Sequence, residues 1–296
     1  VRRLTERSAG DCGRARLEFI EAGFFLPNDE RVIYMTPPTL TPALQALLDS
    51  EPDHGDPVTG ETVRFRADDT DFEGYLALPA GRGSGPKPAV LIVHDWFGAT
   101  DHVKVRAQML ARLGYVAFAA DVYGAGVRPS GSEEAGALAG KFYGDIPLFR
   151  SRLLANLEHL RGIPGIDQAR IGVIGYCFGG SGALEIARSG SQVAAVVAFH
   201  GGLGTSAPAT ADGVQAAVLV LTGAEDPVVP PAAVQGFEDE MRAAHVPDWQ
   251  VVTYSGAMHA FAVPDTDAPA MGAQFQTTAN RRSWTAMQNF FAETLA

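Results

Sequence analysis

With 296 residues, 46% of them hydrophobic and 19% charged, the chain can bury one large core, and a second domain is not required. Lys+Arg 23 against Asp+Glu 34 gives a net charge of −11, which disfavours nucleic acid and anionic membrane as partners and leaves a small molecule as the expected one. Two cysteines, Cys12 and Cys177, make no disulfide framework, and a reducing, cytoplasmic compartment fits. The opening Val1 to Arg7 is charged, and Glu18 and Glu21 interrupt the stretch leading to Phe24-Phe25-Leu26, so neither a signal peptide nor a membrane span is expected.

Residues 1–60 read as an N-terminal extension of unreadable role, with short amphipathic helices over 14–25 and 41–48 and a turn-rich acidic linker over 51–57. Residues 61–296 read as one domain, opened by a β-hairpin of Thr62–Arg66 and Phe72–Leu78. Strands and helices then alternate. Strands are expected at 90–94, 116–120, 171–175, 193–199, 218–222 and 250–254, and helices near 102–113, 147–160, 231–244 and 281–295. Apolar strands separated by amphipathic helices predict an α/β fold with a mostly parallel sheet covered on both faces.

The most telling segment is Gly175-Tyr176-Cys177-Phe178-Gly179-Gly180 after the apolar run 171–174. It reads as a strand entering a tight turn with a thiol at its apex, where the glycines relieve crowding that side chains would create. A lone cysteine there also reads as a small buried hydrophobe. Two later strand ends change that balance. The run 217–221 delivers Asp226 before Pro227, and the run 251–254 delivers His259 through Ser255-Gly256-Ala257-Met258. A thiol is only a few per cent ionised at neutral pH, so it needs a base within hydrogen-bond reach, and a carboxylate on the base's other nitrogen fixes tautomer and orientation. Cys177, Asp226 and His259 stand in the chain order nucleophile, acid, base, which is that of the α/β-hydrolase fold. The oxyanion donors expected from this arrangement are the backbone N–H groups of Phe178 and Trp96, the latter in the loop after the strand ending at His94.

These residues also carry a family resemblance. His94-Asp95-Trp96-Phe97-Gly98, Asp121-Val122-Tyr123-Gly124, the segment Gly175–Gly180, Glu225-Asp226-Pro227 and Met258-His259-Ala260-Phe261 resemble the dienelactone hydrolase family over roughly 61–296. The resemblance implies a cysteine hydrolase of lactones, esters or thioesters on the α/β-hydrolase fold, without metal or organic cofactor, with Cys177, Asp226 and His259 as triad and Trp96 and Phe178 at the oxyanion. It further implies that a carboxylate at position 95 contacts the resting thiol. Asp95 is one methylene shorter than the family's glutamate there.

The family's two carboxylate-binding arginines are replaced by Ala125 and Val263, which argues against an anionic lactone as the preferred substrate. Arg128 is the candidate to reach the same region. Tyr123, His200 and Phe261 are further candidates for substrate contact, with His94 at a strand end and Phe142 and Tyr143 as aromatic neighbours. His94, His102 and His200 lack metal-ligand spacing, and the glycines lack the G-K-[ST] or G-x-G-x-x-G context of a nucleotide site. Two other functions stay open on the same scaffold: a non-catalytic ligand-binding or sensor protein, and an acyltransferase. A monomer or small homo-oligomer is expected.

Overall fold

The computed structural model describes residues 40–52, 58–79 and 85–296. These belong to one unit, Tyr34–Ala296; a second, Val1–Ile33, lies outside the described residues, as do the helix expected over 14–25 and Cys12.

The sheet begins with the hairpin β1 (Thr59–Ala67) and β2 (Thr70–Leu78), antiparallel in register from Thr59↔Leu78 to Ala67↔Thr70. The chain then lays down β3 (Lys87–Val93), β4 (Val116–Ala119), β5 (Ile166–Tyr176), β6 (Ala195–Phe199), β7 (Ala217–Gly223) and β8 (Trp249–Tyr254). The order is β1-β2-β4-β3-β5-β6-β7-β8. β2 joins β4 antiparallel, and every later pairing is parallel. The inner strands read as unbroken apolar runs because both of their faces are covered: Ala89 to Val93 and Ala195 to Phe199 have no exposed surface.

Seven helices among the described residues supply that cover: α1 (Pro42–Asp49), α2 (Asp101–Arg112), α3 (Ser132–Tyr143), α4 (Ile146–Arg161), α5 (Phe178–Arg188), α6 (Pro231–Ala243) and α7 (Thr277–Thr294). Residues of α3 to α6 pack on one face and those of α1, α2 and α7 on the other. α4 shows why such a segment is helical. Asp145 caps it by accepting the Leu148 N–H at 3.0 Å, Pro147 fits the first turn, and Phe149, Leu153, Asn156, Leu157 and Leu160 fall on one buried stripe.

The helix expected over 41–48 is α1, capped by the Thr41 hydroxyl. It is part of the packing. Leu44, Leu47 and Leu48 are buried in the same cluster as α2, Arg112 donates to the carbonyls of Leu48 and Glu51, and the buried Glu51 carboxylate accepts from Trp284 Nε1 at 2.7 Å. Two elements depart from expectation. α3 lies in a stretch for which no element was expected, because its glycines and alanines make a weak helical pattern. A small hairpin of β9 (Asp267–Ala268) and β10 (Ala273–Gln274) lies between β8 and α7, too short to carry a period-2 signal.

Candidate active site

The carboxyl ends of β3, β5, β7 and β8 converge, and each delivers one part of the site. β5 ends at Tyr176, and Cys177 sits alone between strand and α5 at φ 53°, ψ −113°. That backbone conformation is costly for a residue with a side chain, and such strain persists where the surroundings enforce it. Here the surroundings are backbone. A Cβ on Gly175 would lie 1.8 Å from the Gly179 carbonyl oxygen, and one on Gly179 would lie 2.2 Å from that of Val93. Only glycine lets the start of α5 approach β3 and β5 this closely, so the thiol is lifted clear at the turn.

His259 Nε2 lies 3.0 Å from Cys177 Sγ, and its Nδ1 lies 2.9 Å from Asp226 Oδ2. The other Asp226 oxygen accepts the backbone N–H of Val228 at 2.8 Å, which orients a fully buried carboxylate. β10 steadies the histidine: His259 donates its backbone N–H to the Gly272 carbonyl and its carbonyl accepts the N–H of Gln274, both at 2.9 Å. Burial alone would lower the His259 pKa. The Asp226 carboxylate and the Cys177 sulfur overcome it and hold the imidazole up at about 10.

The loop after β3 is the second wall. Asp95 is buried; its Oδ1 accepts the Phe97 N–H at 2.8 Å and its carbonyl accepts the Gly98 N–H at 3.1 Å. Gly98, at φ 87°, closes the turn. Tyr123 donates its hydroxyl to the Trp96 carbonyl at 3.1 Å and so pins the same loop from the other side. Among the described residues nothing accepts the Trp96 N–H, and Phe178, as first residue of α5, has no intrahelical acceptor. Two backbone donors are thus free where the sequence expects an oxyanion.

Around the thiol stand phenols. Tyr123 and Tyr143 both have raised pKa values, first through desolvation; the Cys177 sulfur comes next for Tyr143, and for Tyr123 it follows Tyr143 and Asp95. Tyr143, at the end of α3, packs on Phe178 and places its hydroxyl 3.4 Å from Ser181 Oγ. Phe142 fills the space between Tyr123 and Phe149.

Other expected contacts fall elsewhere. Asp95 makes no hydrogen bond to Sγ among the described residues; its carboxylate serves the Phe97 amide, and the thiol is partnered by His259. Arg128 pairs through Nη1 with the buried Asp121 at 3.3 Å and donates the same nitrogen to the Val127 carbonyl at 2.7 Å, with its stem against Gly98 of the loop after β3. His200 and Phe261 have no exposed surface and lie behind His259, ring to ring, which corrects their expected place at the substrate. His94 is also wholly buried. Its Nδ1 donates to the Asp95 carbonyl at 2.6 Å, its Nε2 accepts from Val122, and burial lowers its pKa, so it bonds as a neutral ring.

The sequence reading had no place for α3, which carries Tyr143 and sets Gly136 against Trp96. The acidic pair Glu133-Glu134 after Ser132 is the helix-start signal that marks it. Among the described residues no three His, Cys, Asp or Glu side chains are grouped to hold a metal ion, and no helix is long and apolar enough to cross a membrane.

Comparison with known proteins places the chain in a family. Residues 72–295 match the family model described as the dienelactone hydrolase family. A relative from Methylorubrum extorquens, named "Putative carboxymethylenebutenolidase", is 30% identical over 214 residues, 69% of this chain and 72% of its own. The crystal structure of a dienelactone hydrolase-like promiscuous phosphotriesterase from metagenomic libraries is 36% identical with a TM-score of 0.74, covering 81% of this chain and 99% of that one. A solved protein from Klebsiella pneumoniae, 24% identical with a TM-score of 0.68 over 80% of this chain and 99% of its own, shares the fold.

Proposed function

The chain belongs to the dienelactone hydrolase family and is a hydrolase of that type, and from this premise we propose that it cleaves neutral lactones or esters through an acyl-enzyme on Cys177. The observation that carries the reading is the line of contacts Sγ to Nε2 at 3.0 Å and Nδ1 to Oδ2 at 2.9 Å at a strained turn. A histidine held toward its imidazolium form by a buried carboxylate is the partner that a thiolate nucleophile requires.

In the proposed reaction Sγ attacks the carbonyl carbon, and the developing oxyanion accepts the N–H groups of Trp96 and Phe178. Collapse expels the alkoxide or enolate, which takes its proton from His259 Nε2. Water then attacks the thioester, giving its proton to the same nitrogen, and release of the acid restores the thiol. Asp226 holds the ring throughout. Resting contact between Asp95 and the thiol finds no support in the Asp95 hydrogen bonds.

The uncharged substrate class rests on the residues that stand where the resemblance places carboxylate-binding arginines. Ala125 and Val263 carry no charge there, Arg128 is paired through Nη1 with Asp121, and the side chains whose titration feels the thiol, Tyr123 and Tyr143, are neutral phenols. A buried carboxylate would lack its charged partners at those two positions. The test is turnover of wild type and Cys177→Ala on lactones, enol esters and p-nitrophenyl esters, with an aryl phosphotriester added because one relative is named for that activity. Wild-type turnover of uncharged esters or lactones that vanishes in Cys177→Ala supports the proposal. Turnover that survives the substitution contradicts it.

A further inference from the structure

Arg106 is the least expected residue in the interior. It projects from α2, is 1% exposed, and among the described residues has no carboxylate within ion-pair distance. A buried guanidinium is costly unless its donors are satisfied. Nη2 donates to the Ala262 carbonyl at 2.8 Å and to Asn280 Oδ1 at 2.6 Å, and the cation lies over the rings of Tyr176 and Trp284 at 5.2 and 4.9 Å. Ala262 is three residues beyond His259. On its other side Nε donates to His102 Nε2 at 3.4 Å, one turn earlier on α2. Accepting at Nε2 leaves the His102 proton on Nδ1, which faces Asp95 Oδ2 at 3.8 Å, too long for a hydrogen bond, so that N–H has no hydrogen-bond partner among the described residues and meets the carboxylate by charge–dipole attraction alone. Asp95 Oδ1 in turn holds the Phe97 amide, the peptide next to the Trp96 N–H.

We propose that Arg106 and His102 are positioning residues, a buried polar chain Ala262 carbonyl–Arg106–His102–Asp95 that ties the segment carrying His259 to the loop carrying the oxyanion donor. The two loops come from β3 and β8, on opposite sides of β5, and among the described residues no strand pairing joins them. Fixing them to one rigid helix sets the distance between the proton-transfer group and the oxyanion donor. A misplacement of about 1 Å at such a site costs about a hundredfold in rate, so a dedicated link has a clear effect to exert. Arginine suits the task because its planar fork serves two acceptors and a histidine at once, which a lysine cannot. The inference rests on the assignment of Cys177, His259 and Trp96 above.

The experiment uses the full chain with Cys12→Ser, so that thiol alkylation reports Cys177 alone. In this parent, Arg106→Lys and His102→Phe are compared for kcat and KM on an uncharged aryl ester and for the rate of alkylation by iodoacetamide. Alkylation needs the thiol–histidine pair and no oxyanion donor. Arg106→Lys, which loosens the His259 side, is expected to lower both kcat and alkylation by tenfold or more. His102→Phe, which removes the contact with Asp95 and the Nε acceptor while leaving Arg106 bonded to Ala262 and Asn280, is expected to lower kcat by a similar factor while alkylation stays within about twofold of the parent rate. KM should stay within about twofold in both. His102→Phe replaces one buried neutral ring with another, so it decides the matter even if Arg106→Lys fails to fold. Parent-like kcat in His102→Phe, or an equal loss of turnover and alkylation there, overturns the proposal. If alkylating Cys177 in the parent leaves turnover intact, the nucleophile assignment falls instead, and the inference falls with it.

Discussion

Burial and hydrogen bonding pull His259 in opposite directions, and the bonds to Asp226 and Cys177 win. Because its pKa is raised from 6.5 to about 10, His259 contributes stability that is fully present below pH 6.5 and lost as pH rises through about 10. The Tm difference between wild type and His259→Gln should therefore shrink from pH 6.5 toward pH 10; a difference that grows over that window contradicts the pairing. In the proposed reaction the three residues act as a unit, so His259→Ala added to Cys177→Ala should cost little further activity, whereas a large additional loss would mean that they act separately. Cys177, Asp226 and His259 were legible in the sequence because each stands at the end of an apolar run beside turn residues. The places of Arg128, His200 and Phe261 were not. Which way a side chain at a strand end points is decided by distant partners: Asp121 takes Arg128, and His200, at φ 40°, turns inward against Phe261.

Elements here are positioned by close backbone approach and by stripes of leucine. The approach of α5 to β3 leaves no room at Gly179, so Gly179→Ala should destabilise the fold by about 2 kcal/mol or more and lower activity together with stability. Urea unfolding measures it, and a loss below about 0.5 kcal/mol would contradict the described turn. α1 makes the complementary case. Leu47 is 5% exposed between α1 and α2, so Leu47→Ala should cost about 2–4 kcal/mol, as deletion of a buried leucine side chain does; a negligible cost would mean that α1 does not pack there. The strands and long helices were legible from period and capping alone. α3 was not, since Gly136 and Gly140 break its pattern and its order comes from Ala135, Ala139 and Phe142 packing on the rest.

At the scale of the molecule, net charge −11 and the uncharged Ala125 and Val263 act together. An anionic dienelactone should be a poorer substrate than an uncharged lactone, and its kcat/KM should rise with salt while that of the uncharged compound stays flat. Arg128→Ala should leave this ranking unchanged, since Arg128 already belongs to Asp121; a preference for dienelactone that disappears in Arg128→Ala would show the guanidinium at work in the cleft. Alternating strands and helices predicted the parallel sheet, and chain order predicted which strand ends meet, but not what lies behind them, because Arg106 reaches Ala262 and Asn280 through the fold rather than along the sequence. The acyl-enzyme is the step on which the proposed chemistry depends most directly. After rapid mixing with an excess of p-nitrophenyl ester and acid quench, mass spectrometry should find the acyl group on Cys177 in wild type and on no residue in Cys177→Ala. An acyl group only on Cys12, or full turnover by Cys177→Ala, would contradict it.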